Sequence, residues 1–236
     1  MKLNSRPKIG INSTYIEDAH KWYRVPISYI NAVYNAGGLP VILPCNPQPK
    51  VLEAYLKELD GMVFTGGDDY PAELYGELPD EHADPIHPRR VETDILLMKK
   101  VLKETNIPVL AICVGHQLLA IAHGGKLIQD LPNGKYHAIT GDTEHSIVIK
   151  GGKWLKSIFN EGCIIVNSNH HQAVKEDHFP SEFEITARAE DNVIEAMELR
   201  NERFVLGVQW HPERTQDKEH TKMIFDYFIK KTRERK

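Results

Sequence analysis

Cys113, His211 and Glu213 are a thiol, an imidazole and a carboxylate, the three groups needed to make, serve and orient a sulfur nucleophile. Their local sequences suit those parts. The apolar run Val109-Leu110-Ala111-Ile112 reads as a buried strand, and beyond Gly115 the residues Leu118, Leu119, Ile121 and Ala122 recur on one face of a helix. Cys113 thus stands on a strand-to-helix hinge, flanked two positions away on either side by the small residues Ala111 and Gly115. A sharp, strained turn of that kind projects its central side chain into open space. The unpaired amides and positive dipole end of the helix favour a thiolate there, and the N–H of Val114 can serve an oxyanion. A cysteine in an apolar strand is by itself most often an inert small hydrophobe; the hinge and the second segment reverse that reading.

That segment is Phe204-Val205-Leu206-Gly207-Val208, a buried strand running into Trp210, His211 and Pro212. Proline cannot continue a ladder, so His211 falls at the strand end. Glu213 stands two residues on, able to fix the tautomer of the imidazole. A third feature is Thr65-Gly66-Gly67 at the end of the strand Gly61–Phe64. In open α/β sheets, ligands bind beyond the carboxyl ends of the strands, so this loop and Cys113 are expected on one rim. Gly66 or Gly67, lacking β-carbons, can bring an amide to the oxyanion beside Val114; of the two, Gly67 is favoured.

These motifs resemble the class I glutamine amidotransferase superfamily, and within it the stand-alone γ-glutamyl-γ-aminobutyrate hydrolases. The elbow is Ala111-Ile112-Cys113-Val114-Gly115-His116-Gln117, and the ending is Gly207 to Glu213 with His211-Pro212-Glu213. Thr65 to Asp69 with Pro71 and Leu74-Tyr75-Gly76-Glu77, Val166 to Val174, and Asp191 to Ala196 are similar to segments of the hydrolase branch, in the same order. Ala111 stands where that family has glycine, and Val114 where its hydrolase branch commonly has arginine. The resemblance implies cleavage of a small γ-glutamyl amide to glutamate and an amine through a thioester. It also implies substrate contacts at Gln117, Asn167, His170, His171 and Gln172. Two other readings stay open: a glutaminase subunit delivering ammonia to a synthase partner, and a silent binding or regulatory protein. The leaving amine is not specified.

The elements that must hold these residues alternate strand and helix through the first half: strands Lys8–Asn12, Leu39–Leu43, Gly61–Phe64 and Val109–Ile112, with helices Pro26–Ala36, Val51–Leu59 and Glu92–Lys103. The second half is richer in strands, at Ser146–Ile149, Ile164–Val166, Phe183–Ala187, Val193–Glu198 and Phe204–Val208, before a helix from Lys218 to Lys230. The expected fold is α/β and flavodoxin-like, a mostly parallel central sheet with helices on both faces and a strand-rich second half, in one domain spanning residues 1–236.

The 236 residues carry a net charge of −4, and no basic face speaks for nucleic acid; the basic run from Lys230 reads as a solvated helix end. No apolar run is long enough to span a membrane, and the first residues have no apolar signal core. Three cysteines are too few for a disulfide framework, which suits a cytoplasmic protein with a working thiol; Cys45 and Cys163 are expected to be structural. A homo-oligomer is compatible with the sequence. No cofactor and no metal is expected: His82, Asp84 and His87, and the His170-His171 pair, do not match a zinc spacing. Arg89, Arg90 and Asp94 resemble the family's charged helix start, where a guanidinium could clamp a substrate carboxylate or simply stand on the surface.

Overall fold

The computed structural model describes residues 6–132, 137, 143–160, 162–214 and 218–234. Its strands in chain order are β1 (Lys8–Asn12), β2 (Thr14–Glu17), β3 (Lys21–Arg24), β4 (Leu39–Leu43), β5 (Gly61–Phe64), β6 (Val109–Ile112), β7 (Leu127–Ile128), β8 (Thr143–Ile149), β9 (Cys163–Ser168), β10 (Ala173–Val174), β11 (Phe183–Ala189), β12 (Ile194–Leu199) and β13 (Val205–Val208). The helices are α1 (Ile27–Asn35), α2 (Pro49–Glu58), α3 (Pro88–Glu104), α4 (Val114–Ala122), α5 (Trp154–Phe159) and α6 (Lys218–Glu234).

Nine strands form one sheet in the order β4-β1-β5-β6-β13-β12-β11-β8-β9. The five from β4 to β13 run parallel, and the rest continue antiparallel. β5 and β6 are apolar at every position because both of their faces are covered. Helix α6 contacts both α1 and α5, and α2, α3 and α4 form a second group, so the fold is the expected α/β sheet flanked by helices. One apolar core runs through it, from Ile9 and Val33 near the start of the chain to Phe228 and Ile229 near its end.

Departures from the expected elements have local causes. Helix α3 begins four residues before Glu92 because Pro88 occupies its first turn and the His87 ring accepts the Arg89 N–H at 3.1 Å. The hairpin of β2 and β3 and the short α5 were not among the expected elements, each being only four to six residues long; β3 is exposed at every residue. Cys45 is buried as expected, its thiol donating to the Ser13 carbonyl at 3.0 Å, whereas Cys163 lies exposed on the edge strand β9. No helix of the described residues is long and apolar enough to cross a membrane.

Candidate active site

The site lies at the carboxyl ends of the parallel strands. β6 and β13 are neighbours, with Ile112 opposite Val208, so the residues just past both strand ends share one rim despite their distance along the chain. Cys113 ends β6 and caps α4 with φ 53° and ψ −109°. A left-handed backbone at a non-glycine residue costs about 1–3 kcal/mol and persists only where its surroundings over-determine it. Here the Cys113 N–H donates to the Val208 carbonyl at 2.8 Å, and its carbonyl accepts from the Gln117 N–H at 3.1 Å. Gly115 is obligatory, because a β-carbon there would lie 2.6 Å from the Phe64 carbonyl oxygen. Ala111 has no such constraint: its φ is negative, so the methyl that replaces the family's glycine is free of strain.

On the β13 side, the Nδ1–H of His211 donates to Glu213 Oε1 at 2.8 Å, since a carboxylate can only accept. Cys113 stands close enough to the ring to raise its pKa. A β-carbon built on Gly66 would lie 2.8 Å from His211 Cε1 and 3.5 Å from Cys113 Cβ, which shows how closely thiol, imidazole and loop converge. Burial opposes a charge on His211, but Glu213 and then Cys113 outweigh it and hold the imidazolium up to about 10. The ring also depends on its backbone: the His211 N–H donates to Asn167 Oδ1 at 3.2 Å.

Gln209 was not among the residues singled out from the sequence. Its Nε2 donates to Cys113 Sγ at 3.6 Å, and its Oε1 lies 3.4 Å from Gln117 Nε2. Extended chain puts residues two apart on one side, so a polar side chain two before His211 was the available signal.

The glycine loop separates into two roles. The Gly66 N–H donates to the Tyr29 hydroxyl at 2.9 Å and is therefore engaged. The Gly67 amide has no hydrogen-bond partner among the described residues, and Val114 opens the first turn of α4, where amides lack intrahelical acceptors. Arg90 braces this loop from inside the protein. Fully buried, it donates to Asp94 at 3.0 Å, Thr14 Oγ1 at 2.7 Å and the Gly66 carbonyl at 3.0 Å. A β-carbon on Gly67 would meet its Nη1 at 2.4 Å. Arg89 donates to the Cys45 carbonyl at 2.8 Å. Of the two readings of this helix start, a clamp on a substrate carboxylate and a surface position, Arg90 follows neither, being buried on the protein's own oxygens.

A cleft of about 340 Å³ opens over Cys113, Val114 and Gln117, lined also by Gly67, Asp68, Asp69, Asp84, His170, His171 and Gln172. A second, of about 380 Å³, lies on the His211 and Glu213 side with Arg24, Tyr29 and Arg214, and shares Gly67, Asp68 and Asn169 with the first. Of the five residues expected to touch substrate, four line the first cleft. Asn167 lies outside it: buried, it accepts from the His211 amide. Gln117 donates to the Gln172 carbonyl at 3.1 Å, while the side-chain oxygens of both glutamines are buried without partners. His171 lies 3.0 Å from Asp69, whose hydrogen bond raises its pKa. His82 and His87 go to Asp80 and Glu17, separate acceptors, and do not converge.

The sequence model of the family described as Peptidase C26 matches residues 7–213. The chain is 34% identical over 223 residues to a gamma-glutamyl-gamma-aminobutyrate hydrolase of Escherichia coli O157:H7, covering 85% of this chain and 83% of that one. It is 33% identical over 221 residues to protein NtpR of Enterococcus hirae, covering 86% and 87%. Among solved structures, a Thermoplasma acidophilum protein described as a GMP synthase subunit superposes with a TM-score of 0.68 over 98% of this chain and 96% of that one, at 19% identity, a likeness of fold. With the family's pattern running along nearly the whole sequence on the fold expected for it, the chain belongs to the Peptidase C26 family, among the class I glutamine amidotransferase-like hydrolases.

Proposed function

We propose that the protein hydrolyses the γ-glutamyl amide bond of small γ-glutamyl compounds, with Cys113 as nucleophile, His211 as proton carrier and Glu213 as its orienting carboxylate. The observation that carries this reading is the strained Cys113 elbow facing an imidazole already paired with a carboxylate. His211, as imidazolium, already holds the proton that the sulfur gives up, and the Cys113 thiolate attacks the γ-carbonyl. The oxyanion that forms takes hydrogen bonds from the Val114 and Gly67 amides, each donor lowering the barrier by about 2.7–4 kcal/mol. His211 then protonates the departing amine, and water hydrolyses the glutamyl thioester to release glutamate and regenerate the thiolate.

The cleft suits the rest of a glutamyl group. Asp68, Asp69 and Asp84 put negative charge beside it, and the α-ammonium group of a glutamyl substrate meets that charge. A cytoplasmic location accompanies this reading, since the thiol must stay reduced. The test is glutamate release from a panel of γ-glutamyl amides, with free glutamine as comparator. The reading expects amides of small amines to be cleaved faster than glutamine. It also expects Cys113→Ala and His211→Ala each to abolish turnover and the double change to add little, because such groups act as a unit. Glutamate release retained by Cys113→Ala would refute it.

A further inference from the structure

Next to the cleft is a group of side chains that the reaction above does not use. Glu195 of β12 is fully buried, and the rings of His137, His145 and His170 surround its carboxylate with side-chain exposures of 1%, 3% and 2%. The four come from separate stretches: β12, β8, the turn after β9, and the segment preceding β8.

Their hydrogen bonds orient all three rings the same way. His145 donates through Nδ1 to the Ser146 carbonyl at 3.2 Å, His170 through Nδ1 to the Gln172 carbonyl at 3.0 Å, and His137 through Nε2 to Asp191 at 3.1 Å. With the outer nitrogens protonated, the inner ones carry lone pairs, and these converge on Glu195 Oε1 at 3.6 Å from His145, 3.7 Å from His170 and 3.9 Å from His137. Those separations exceed a hydrogen bond, and both Glu195 oxygens and His145 Nε2 have no hydrogen-bond partner among the described residues. The inner nitrogens of His137 and His170 are 3.1 Å apart, and Ser168 Oγ lies 3.0 Å from the former.

Three lone pairs and a carboxylate facing one another in the interior repel, and a buried carboxylate without a partner costs several kcal/mol. A divalent cation at their centre turns each repulsion into a bond. Four ligands at the usual 2.0–2.1 Å around zinc define a tetrahedron with edges of about 3.3 Å; the donor atoms of His137, His145 and Glu195 all lie within 4.8 Å of one another, and His170 Nε2 stands 3.7 Å from Glu195 Oε1 and 3.1 Å from His137 Nδ1, so the cluster contracts and His170 moves inward to complete the tetrahedron when the ion binds. Metal-bound imidazoles characteristically donate their outer N–H to a carbonyl or carboxylate, as all three rings do. Imidazoles with one carboxylate suit zinc and its neighbours and not calcium or magnesium, which take oxygen.

We propose that His137, His145, His170 and Glu195 form a binding site for one divalent transition-metal ion of the zinc class. With four protein ligands the site is closed, and its role is structural. It ties β8, β12 and the turn after β9 together at the edge of the cleft. That turn supplies the Gln172 carbonyl that accepts from Gln117, and the adjoining end of β9 supplies the Asn167 side chain that accepts from the His211 amide. The ion therefore positions the machinery without touching substrate. No local pattern announces the site, because ligand-spacing rules recognise donors that share a segment. The proposal does not depend on the reaction assigned above.

The test is metal analysis of the purified full-length protein, stripped with chelator and then equilibrated with zinc. About one zinc should stay with each chain through gel filtration and raise the melting temperature; Co2+ in its place should show the visible absorption of a four-coordinate ion. Glu195→Gln and His145→Ala should weaken zinc binding by at least ~10-fold, while Cys113→Ala binds it as the wild type does. Zinc-free wild type with an unshifted melting temperature would overturn the proposal and leave the cluster holding a buried proton. Zinc lost from Cys113→Ala but kept by both other variants would also overturn it, by moving the ion to the cleft thiol. The wild-type measurement decides even if a variant fails to fold.

Discussion

At the residue scale, the chemistry rests on one proton and where it is held. His211 keeps its proton up to about 10 because Glu213 and Cys113 together outweigh the cost of burial. Its unfolded-state counterpart titrates near 6.5, so the sign of the linkage is fixed: the stabilisation is full below about 6.5 and is lost as pH rises through about 10. The difference in melting temperature between wild type and His211→Gln should therefore shrink as pH is taken from neutral through that upper limit. Glu213→Gln should retain more turnover than either Cys113→Ala or His211→Ala, since an amide can still orient the ring while losing the charge that stabilises imidazolium. Comparing kcat for the three variants checks this. The elbow at Cys113 was legible in the sequence because strand period gives way to helix period there. Gln209 was not, because a glutamine in a strand end has no chemistry of its own until a sulfur is placed beside it.

At the element scale, the β5 loop is held from beneath by an ion pair that belongs to α3. Arg90 and Asp94 are both fully buried, one turn apart, and Asp94 also accepts from Asn12 at 2.9 Å and Tyr70 at 2.8 Å. Replacing Arg90 with Met strands that carboxylate and should cost about 3–5 kcal/mol in chemical denaturation. Adding Asp94→Asn should recover part of the stability, since the orphaned charge is gone, but not kcat/KM, because the Thr65 and Gly66 carbonyls stay without their anchor. Equal recovery of both quantities would contradict the loop-bracing role. From sequence alone these two residues were a helix start that could have faced solvent or substrate. Only the packing of α3 beneath the loop decides between those. The apolar strands were legible because burial on both faces leaves continuous runs, whereas β2 and β3 form a polar ribbon whose register is set by pairing with each other.

At the scale of the whole molecule, the sheet divides its labour between its two ends. The carboxyl ends of β5, β6 and β13 carry the rim, while the amino end of β5 packs under α6, where a β-carbon on Gly61 would touch the rings and methyls of Phe228 and Thr232. Phe228→Ala should thus cost about 3–5 kcal/mol and lower the melting temperature by roughly 6–20 °C, with kcat/KM at low temperature close to wild type. A thermal scan beside an assay well below the transition checks both halves. The parallel pairing of β6 with β13 also explains why so much of the site could be read in advance. Once both segments are strands ending in reactive residues, their adjacency is the one fact still needed, and it is a property of topology that no local pattern encodes.

The central claim is that the Cys113 sulfur attacks a γ-glutamyl carbonyl, and mass spectrometry of acid-quenched enzyme during turnover tests it most directly. The predicted result is a glutamyl adduct on the peptide containing Cys113, absent from Cys113→Ala. Glutamate released at full rate with that peptide unmodified, or an adduct on another residue, would contradict it.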